Sequence, residues 1–183
     1  QRHGKDIPSI FGIGDSLIYF VDDFKKENRY EEMGFEYLAD PELVDNKGFI
    51  AIDHLTNNVY PGEMATWTKF YKEIFGFTEV RYFDIRGAKT GLTSFALQAP
   101  GRSFCIPINE GTEAKSQINE YLDEYKGPGV QHLAFITHDI ISSVASLSDT
   151  TISTLDIDDE YYDEVFDRVP NVTENRQDLQ KHD

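Results

Sequence analysis

The chain has 183 residues, of which 39% are hydrophobic, 13% aromatic and 27% charged. This is enough apolar side chain for one sizeable core and is not the composition of a disordered chain. Its formal net charge of −16 repels phosphate backbones and argues against a nucleic-acid partner. No apolar run approaches the roughly 20 residues of a membrane span, and no signal peptide is visible. The single cysteine, Cys105, reads as a small buried apolar residue in a reducing cytoplasm.

In chain order, residues 1–9 are polar and read as a linker, and Gly14 to Val21 reads as a short buried strand between turn signals. Residues 22–47 are charged, with one strand expected over Phe35 to Leu38. The acidic residues around Glu31, Asp40 and Asp45, and those from Asp156 to Glu164, read as solvated loops. Phe49 to Leu55 is a strand, after which Asn57, Asn58, Pro61 and Gly62 break the pattern. The period then changes. Met64, Trp67, Phe70, Tyr71 and Ile74 share one face of a helix, and Gly76 is placed to end it. Phe77 to Ile85 and Thr90 to Ala99 read as strands joined by residues 86–89, and Arg102 to Ile108 reads as a third. Lys115 to Tyr125 is helical again, with Ile118, Tyr121, Leu122 and Tyr125 on one face and Gly127 as its stop. Val130 to Ile136 is a second strong strand and Ile140 to Leu147 a further helix, whereas Tyr161 to Arg168 shows no clear period.

An internal repeat organises the chain. Ile52-Asp53-His54-Leu55 and Val130-Gln131-His132-Leu133 share the order aliphatic, polar, His, Leu, and a helix follows each. The histidines are 78 residues apart, about the length of one βαβββ module. A duplicated unit places equivalent residues at equivalent points of two half-sheets, so both rings can point into one cavity. Imidazole is the commonest metal ligand at neutral pH. Two readings stand: a pair of metal ligands, or two histidines satisfied within the core. His3, His138 and His182 read as surface residues.

The residues also carry a resemblance. Ile52–Val59, then Trp67, Phe70-Tyr71 and Ile74–Phe77, then Arg81–Ile85 resemble 4-hydroxyphenylpyruvate dioxygenase. So do Gly91–Ser94, Ile106–Glu110, Lys115–Ile118, Gly127–His132, Tyr161-Tyr162-Asp163 and Arg168-Val169-Pro170. The resemblance implies an α+β vicinal-oxygen-chelate (glyoxalase-like) fold of paired βαβββ modules around a mononuclear Fe(II). It implies His54 and His132 as two ligands of a two-histidine, one-carboxylate triad. It implies Ser94, Pro107, Asn109, Gln117 and Gln131 as substrate-pocket residues, with Gln117 and Gln131 also catalytic. The implied reaction takes an aromatic 2-oxo acid and O₂ through oxidative decarboxylation, ring hydroxylation and side-chain migration to homogentisate and CO₂, in tyrosine and phenylalanine catabolism. Family members resemble one another in forming homo-oligomers, dimers or tetramers.

The third ligand departs from the pattern. The family's glutamate is expected beyond Asp183, and Glu79, Glu110 and Glu164 lie outside its motif. The fold is therefore expected to be truncated at both ends. Residues 1–47 would be a linker and the end of an N-terminal domain. Residues 48–183 would belong to the catalytic domain, with a first module over about 48–126 and an incomplete second over about 127–183. Alone, this chain is expected to bind Fe(II) poorly and to turn nothing over. The alternatives are 4-hydroxymandelate synthase, which uses the same substrate and iron, and a non-catalytic metal-binding module of the same fold. A ring-cleaving extradiol dioxygenase is disfavoured by the Ile106–Glu110 and Lys115–Ile118 motifs.

Overall fold

A computed structural model describes residues 6–22, 24–86, 91–113 and 115–182. His3 and residues 87–89 of the expected turn lie outside the described residues. The chain forms two compact units, residues 1–43 with 52–134, and residues 44–51 with 135–183.

The architecture is α+β. Strand β1 (Ser9–Phe11) pairs with β2 (Leu17–Tyr19), and a four-residue helix α1 (Arg29–Glu32) follows. Then come β3 (Phe49–Val59), α2 (Met64–Phe75), β4 (Thr78–Arg86), β5 (Gly91–Gln98) and β6 (Cys105–Gly111), in the βαβββ order. The remaining elements are α3 (Gln117–Tyr125), β7 (Gly129–Thr137), α4 (Ile140–Ala145), α5 (Asp159–Arg168) and α6 (Arg176–His182). Five strands form one sheet in the order β4-β5-β6-β3-β7, with β4, β5 and β6 antiparallel in turn and β6 parallel to β3.

Alternation along the strands decides what each face carries. Val59, Leu97, Ile106 and Ile108 are buried on one face and pack with Met64 and Tyr71 of α2 and with Ile13. The intervening residues, His54, Thr56 and Asn58 of β3, Ser94 of β5, and Pro107 and Asn109 of β6, therefore lie on the other face. Helix α2 ends as the sequence suggests, with Gly76 left-handed at φ 69° and its N–H bonded to the Lys72 carbonyl. Ile74 departs from the expected apolar face and is 52% exposed.

Several expectations are corrected. Strand β3 runs on through Asn57 and Asn58, both buried, because the neighbouring strand β6 supplies backbone partners and Asn109 Nδ2 donates to Asn58 Oδ1 at 3.3 Å. Residues 35–38 form no strand, and a helical turn occupies Arg29–Glu32 instead. The strand read over Gly14 to Val21 shortens to Leu17–Tyr19, since Gly14 and Asp15 adopt positive φ and cannot extend a ladder. Helix α3 is capped by Ser116, whose hydroxyl accepts from Asn119 N–H, and its left-handed stop is Lys126, one residue before the glycine. The acidic stretch is not all loop. Asp159–Arg168 is helical, and Tyr162, Val165, Phe166 and Val169 share a stripe that lines an apolar cavity of about 500 Å³ with residues of α4 and α6. His182 also lines it and is half-buried, whereas His138 is exposed as expected. Among the described residues no helix is long and apolar enough to cross a membrane.

Candidate functional site

The open face of the sheet is ordered in rows by strand register. Ser94 of β5 stands opposite Asn109 of β6, which stands opposite Asn58 of β3. Toward the start of β3, Gln98, Cys105 and His54 form a second row, in which Gln98 Nε2 lies 3.8 Å from Cys105 Sγ. Cys105 is half-buried rather than fully buried. Strand β7 neighbours β3 in the sheet and brings His132 beside His54.

The two histidines meet at their Nε2 atoms, 3.3 Å apart, with the rings inclined at 76°. Each Nδ1 is held by the residue just before it in the chain. Asp53 Oδ2 accepts from His54 Nδ1 at 2.7 Å, and Gln131 Oε1 accepts from His132 Nδ1. A carboxylate and an amide oxygen can only accept, so both rings carry their hydrogen on Nδ1 and turn a lone pair toward the other ring. The close approach is thus not a hydrogen bond between the rings. Thr56, only 2% exposed, places its hydroxyl 3.0 Å from His132 Nε2 and can donate to it. Burial first, and the neighbouring His54 second, hold the His132 imidazole below the usual histidine pKa.

This donor set suits a divalent transition metal. Two nitrogens about 2.1 Å from one ion and about 90–105° apart stand about 3.0–3.3 Å from each other, and these two are 3.3 Å apart. Both Nδ1 atoms already have acceptors, the arrangement that fixes an imidazole for coordination through its other nitrogen. Among the described residues no cluster of three His, Cys, Asp or Glu side chains completes the shell. Glu110 is occupied elsewhere, Glu79 pairs with Lys72 at 2.9 Å, and Glu164 stands 4.0 Å from Arg168.

Beside His132 lies a cavity of about 250 Å³ whose walls include Asn58, Leu92, Asn109, Gln117, Gln131 and His132. Asn109, Gln117 and Gln131 of the expected pocket residues therefore come together. Ser94 is buried in register with Asn109, and Pro107 lies two residues from Asn109 on β6, but neither lines the cavity. Asp53, Thr56 and Asn58 were not singled out by sequence. Alternation from His54 was the available signal for the last two, since i+2 and i+4 on a strand share its face.

Comparison with known proteins adds relatives to this geometry. The model of the Glyoxalase/Bleomycin resistance protein/Dioxygenase superfamily matches residues 51–173. The protein MelA of Shewanella colwelliana is 55% identical over 181 residues, covering 97% of this chain and 52% of that protein. A 4-hydroxyphenylpyruvate dioxygenase of Legionella pneumophila is 44% identical over 170 residues, covering 92% of this chain and 47% of that protein. The chain thus spans about half the length of the curated relatives it matches. A solved mutant of 4-hydroxymandelate synthase from Streptomyces coelicolor superposes with a TM-score of 0.68 at 20% identity, over 95% of this chain and 50% of that one, which is a likeness of fold.

Proposed function

Because the chain belongs to the glyoxalase/bleomycin resistance protein/dioxygenase superfamily, we propose that the protein carrying it is a non-haem Fe(II) dioxygenase that converts 4-hydroxyphenylpyruvate and O₂ to homogentisate and CO₂. The observation that carries this reading is the convergence of His54 Nε2 and His132 Nε2, each ring fixed through Nδ1. The similarity to 4-hydroxyphenylpyruvate dioxygenases over most of the chain supports the choice of substrate.

His54 and His132 would hold the iron, with a glutamate from outside the 183 residues as third ligand. Iron, when bound, supplies a Lewis-acidic centre for the 2-oxo acid and the redox chemistry that activates O₂. The protein's own residues bind and orient. Gln131 has two roles in this reading: its oxygen fixes His132, and its amide hydrogens remain to donate into the cavity. Asn109 and Gln117 present further neutral donors and acceptors on the cavity wall, suited to a phenol and its attached oxo acid. Asn109 is steadied by its bond to Asn58. Neutral amides position a substrate without competing with it for the metal.

Product analysis tests the proposal. The protein carrying this chain, supplied with Fe(II), O₂ and 4-hydroxyphenylpyruvate, should release homogentisate and CO₂ in equal amounts. Formation of 4-hydroxymandelate would replace ring hydroxylation by benzylic hydroxylation. Fe(II) binding with no substrate consumed would mark a non-catalytic module.

A further inference from the structure

The residues preceding the two histidines are not equivalent, and we propose that Asp53 is the positioning residue of His54, making it the stronger ligand of the pair. The inference rests on the reading of His54 and His132 as ligands. Asp53 Oδ2 lies 2.7 Å from His54 Nδ1. Its acceptor-only carboxylate places the ring hydrogen on Nδ1 and frees Nε2. At the equivalent point of β7, Gln131 offers His132 an amide oxygen. Both partners set the tautomer, but only Asp53 brings a full negative charge. That charge polarises the ring and strengthens Nε2 as an electron-pair donor toward a cation, whereas the amide orients without charging. No lysine or arginine among the described residues forms an ion pair with Asp53, so its charge acts on the ring.

The side chains of His54 and Asp53 are 27% and 52% exposed. Solvent therefore screens the pair and can supply a substitute acceptor, which keeps the effect within the range usual for such partners, about 10–100-fold in metal affinity.

The experiment measures Fe(II) affinity by competition with a chelator for the unmodified protein, Asp53→Ala, Asp53→Asn, Asp53→Glu and Gln131→Ala. In parallel, long-range ¹⁵N NMR reads the His54 tautomer in metal-free protein. Asp53→Ala should weaken Fe(II) about 10–100-fold and move the His54 hydrogen toward Nε2. Asp53→Asn, which keeps an acceptor of nearly the same shape, should retain the tautomer and still lose affinity. Asp53→Glu should recover part of the loss, and Gln131→Ala should cost less than Asp53→Ala. Affinity within about twofold of the unmodified protein in both Asp53→Ala and Asp53→Asn would overturn the proposal. Asp53→Asn carries the test if the alanine variant fails to fold. His54→Ala and His132→Ala, measured alongside, separate the two claims. Stoichiometric Fe(II) in either would refute the ligand pair, whereas loss of Fe(II) in both with an unaffected Asp53→Ala would refute the role of Asp53 alone.

Discussion

Glu110 of β6 caps helix α2: its Oε2 accepts hydrogen bonds from Gly62 N–H at 2.9 Å and from Met64 N–H at 3.2 Å. Glu63, at the N-cap position, makes no capping bond of its own, so the first turn of α2 depends on a residue 46 positions away from Met64. A carboxylate at a helix N-terminus also meets the positive end of the helix dipole. The same contact explains why Glu110 is unavailable as a metal ligand.

Glu110→Ala leaves two backbone donors at the start of α2 without an acceptor. The expected cost is about 1–3 kcal/mol, seen as a lower urea midpoint at an unchanged m-value. Glu110→Gln, which keeps an acceptor and loses the charge, should fall between the two.

Gly14 and Gly62 both adopt positive φ, 63° and 89°, but differ in what surrounds them. A Cβ on Gly14 would come within 2.0 Å of the Pro128 carbonyl oxygen, whereas a Cβ on Gly62 would meet nothing within 4 Å. Gly62→Ala should therefore cost only the left-handed backbone preference, about 1–2 kcal/mol. Gly14→Ala should cost clearly more, because the backbone of residues 128–129 must move. Thermal melts of the two variants compare them directly, and equal losses would contradict the close approach.

Asn109→Leu removes a cavity-wall amide and the donor to Asn58, which is 3% exposed. An unsatisfied buried amide oxygen costs about 1–3 kcal/mol, so stability should fall. In the proposed enzyme, KM for the aromatic 2-oxo acid should rise. Steady-state kinetics beside a denaturation curve would reveal both effects, and a variant unchanged in KM would remove Asn109 from the substrate site.

The regular elements were legible in the sequence where apolar periodicity was strong. Helix α2, its Gly76 stop, and the strands around His54 and His132 follow directly from pattern. What remained hidden depends on tertiary partners. Asn57 and Asn58 have the chemistry of turn residues, yet β6 and Asn109 hold them inside a strand. The period of Tyr162, Val165, Phe166 and Val169 was obscured by the acidic residues between them, and its meaning emerges from the cavity they line. At the site, the histidine pair could be read from the repeat. Thr56 was signalled only by its i+2 spacing from His54, because a threonine in a strand otherwise looks like β-propensity alone. Asp53 looked like the ordinary polar member of an alternating strand, and only the distance to Nδ1 gives it a role.

Asp139 gives a pH-dependent prediction. It caps α4, with Oδ2 accepting from the Ser142 hydroxyl at 2.5 Å and Oδ1 from the Ser142 N–H at 3.0 Å. These bonds, the hydroxyl first, hold its carboxyl below the usual aspartate pKa. A folded pKa below the unfolded one stabilises fully above the unfolded value, about 3.9, and that stabilisation is lost as pH falls through the folded value. The stability difference between the unmodified protein and Asp139→Asn should thus be constant above about pH 5 and shrink below about pH 4. Denaturation curves across that range would show it, and a difference that grows on acidification would contradict the assignment.

The convergence of His54 Nε2 and His132 Nε2 predicts that the two rings bind one metal ion. The most direct measurement is the Fe(II) stoichiometry of the protein carrying this chain, beside His54→Ala and His132→Ala, with circular dichroism confirming that each variant is folded. One Fe(II) per chain is expected in the unmodified protein, and none retained by either variant after desalting. Stoichiometric iron in either folded variant would contradict it.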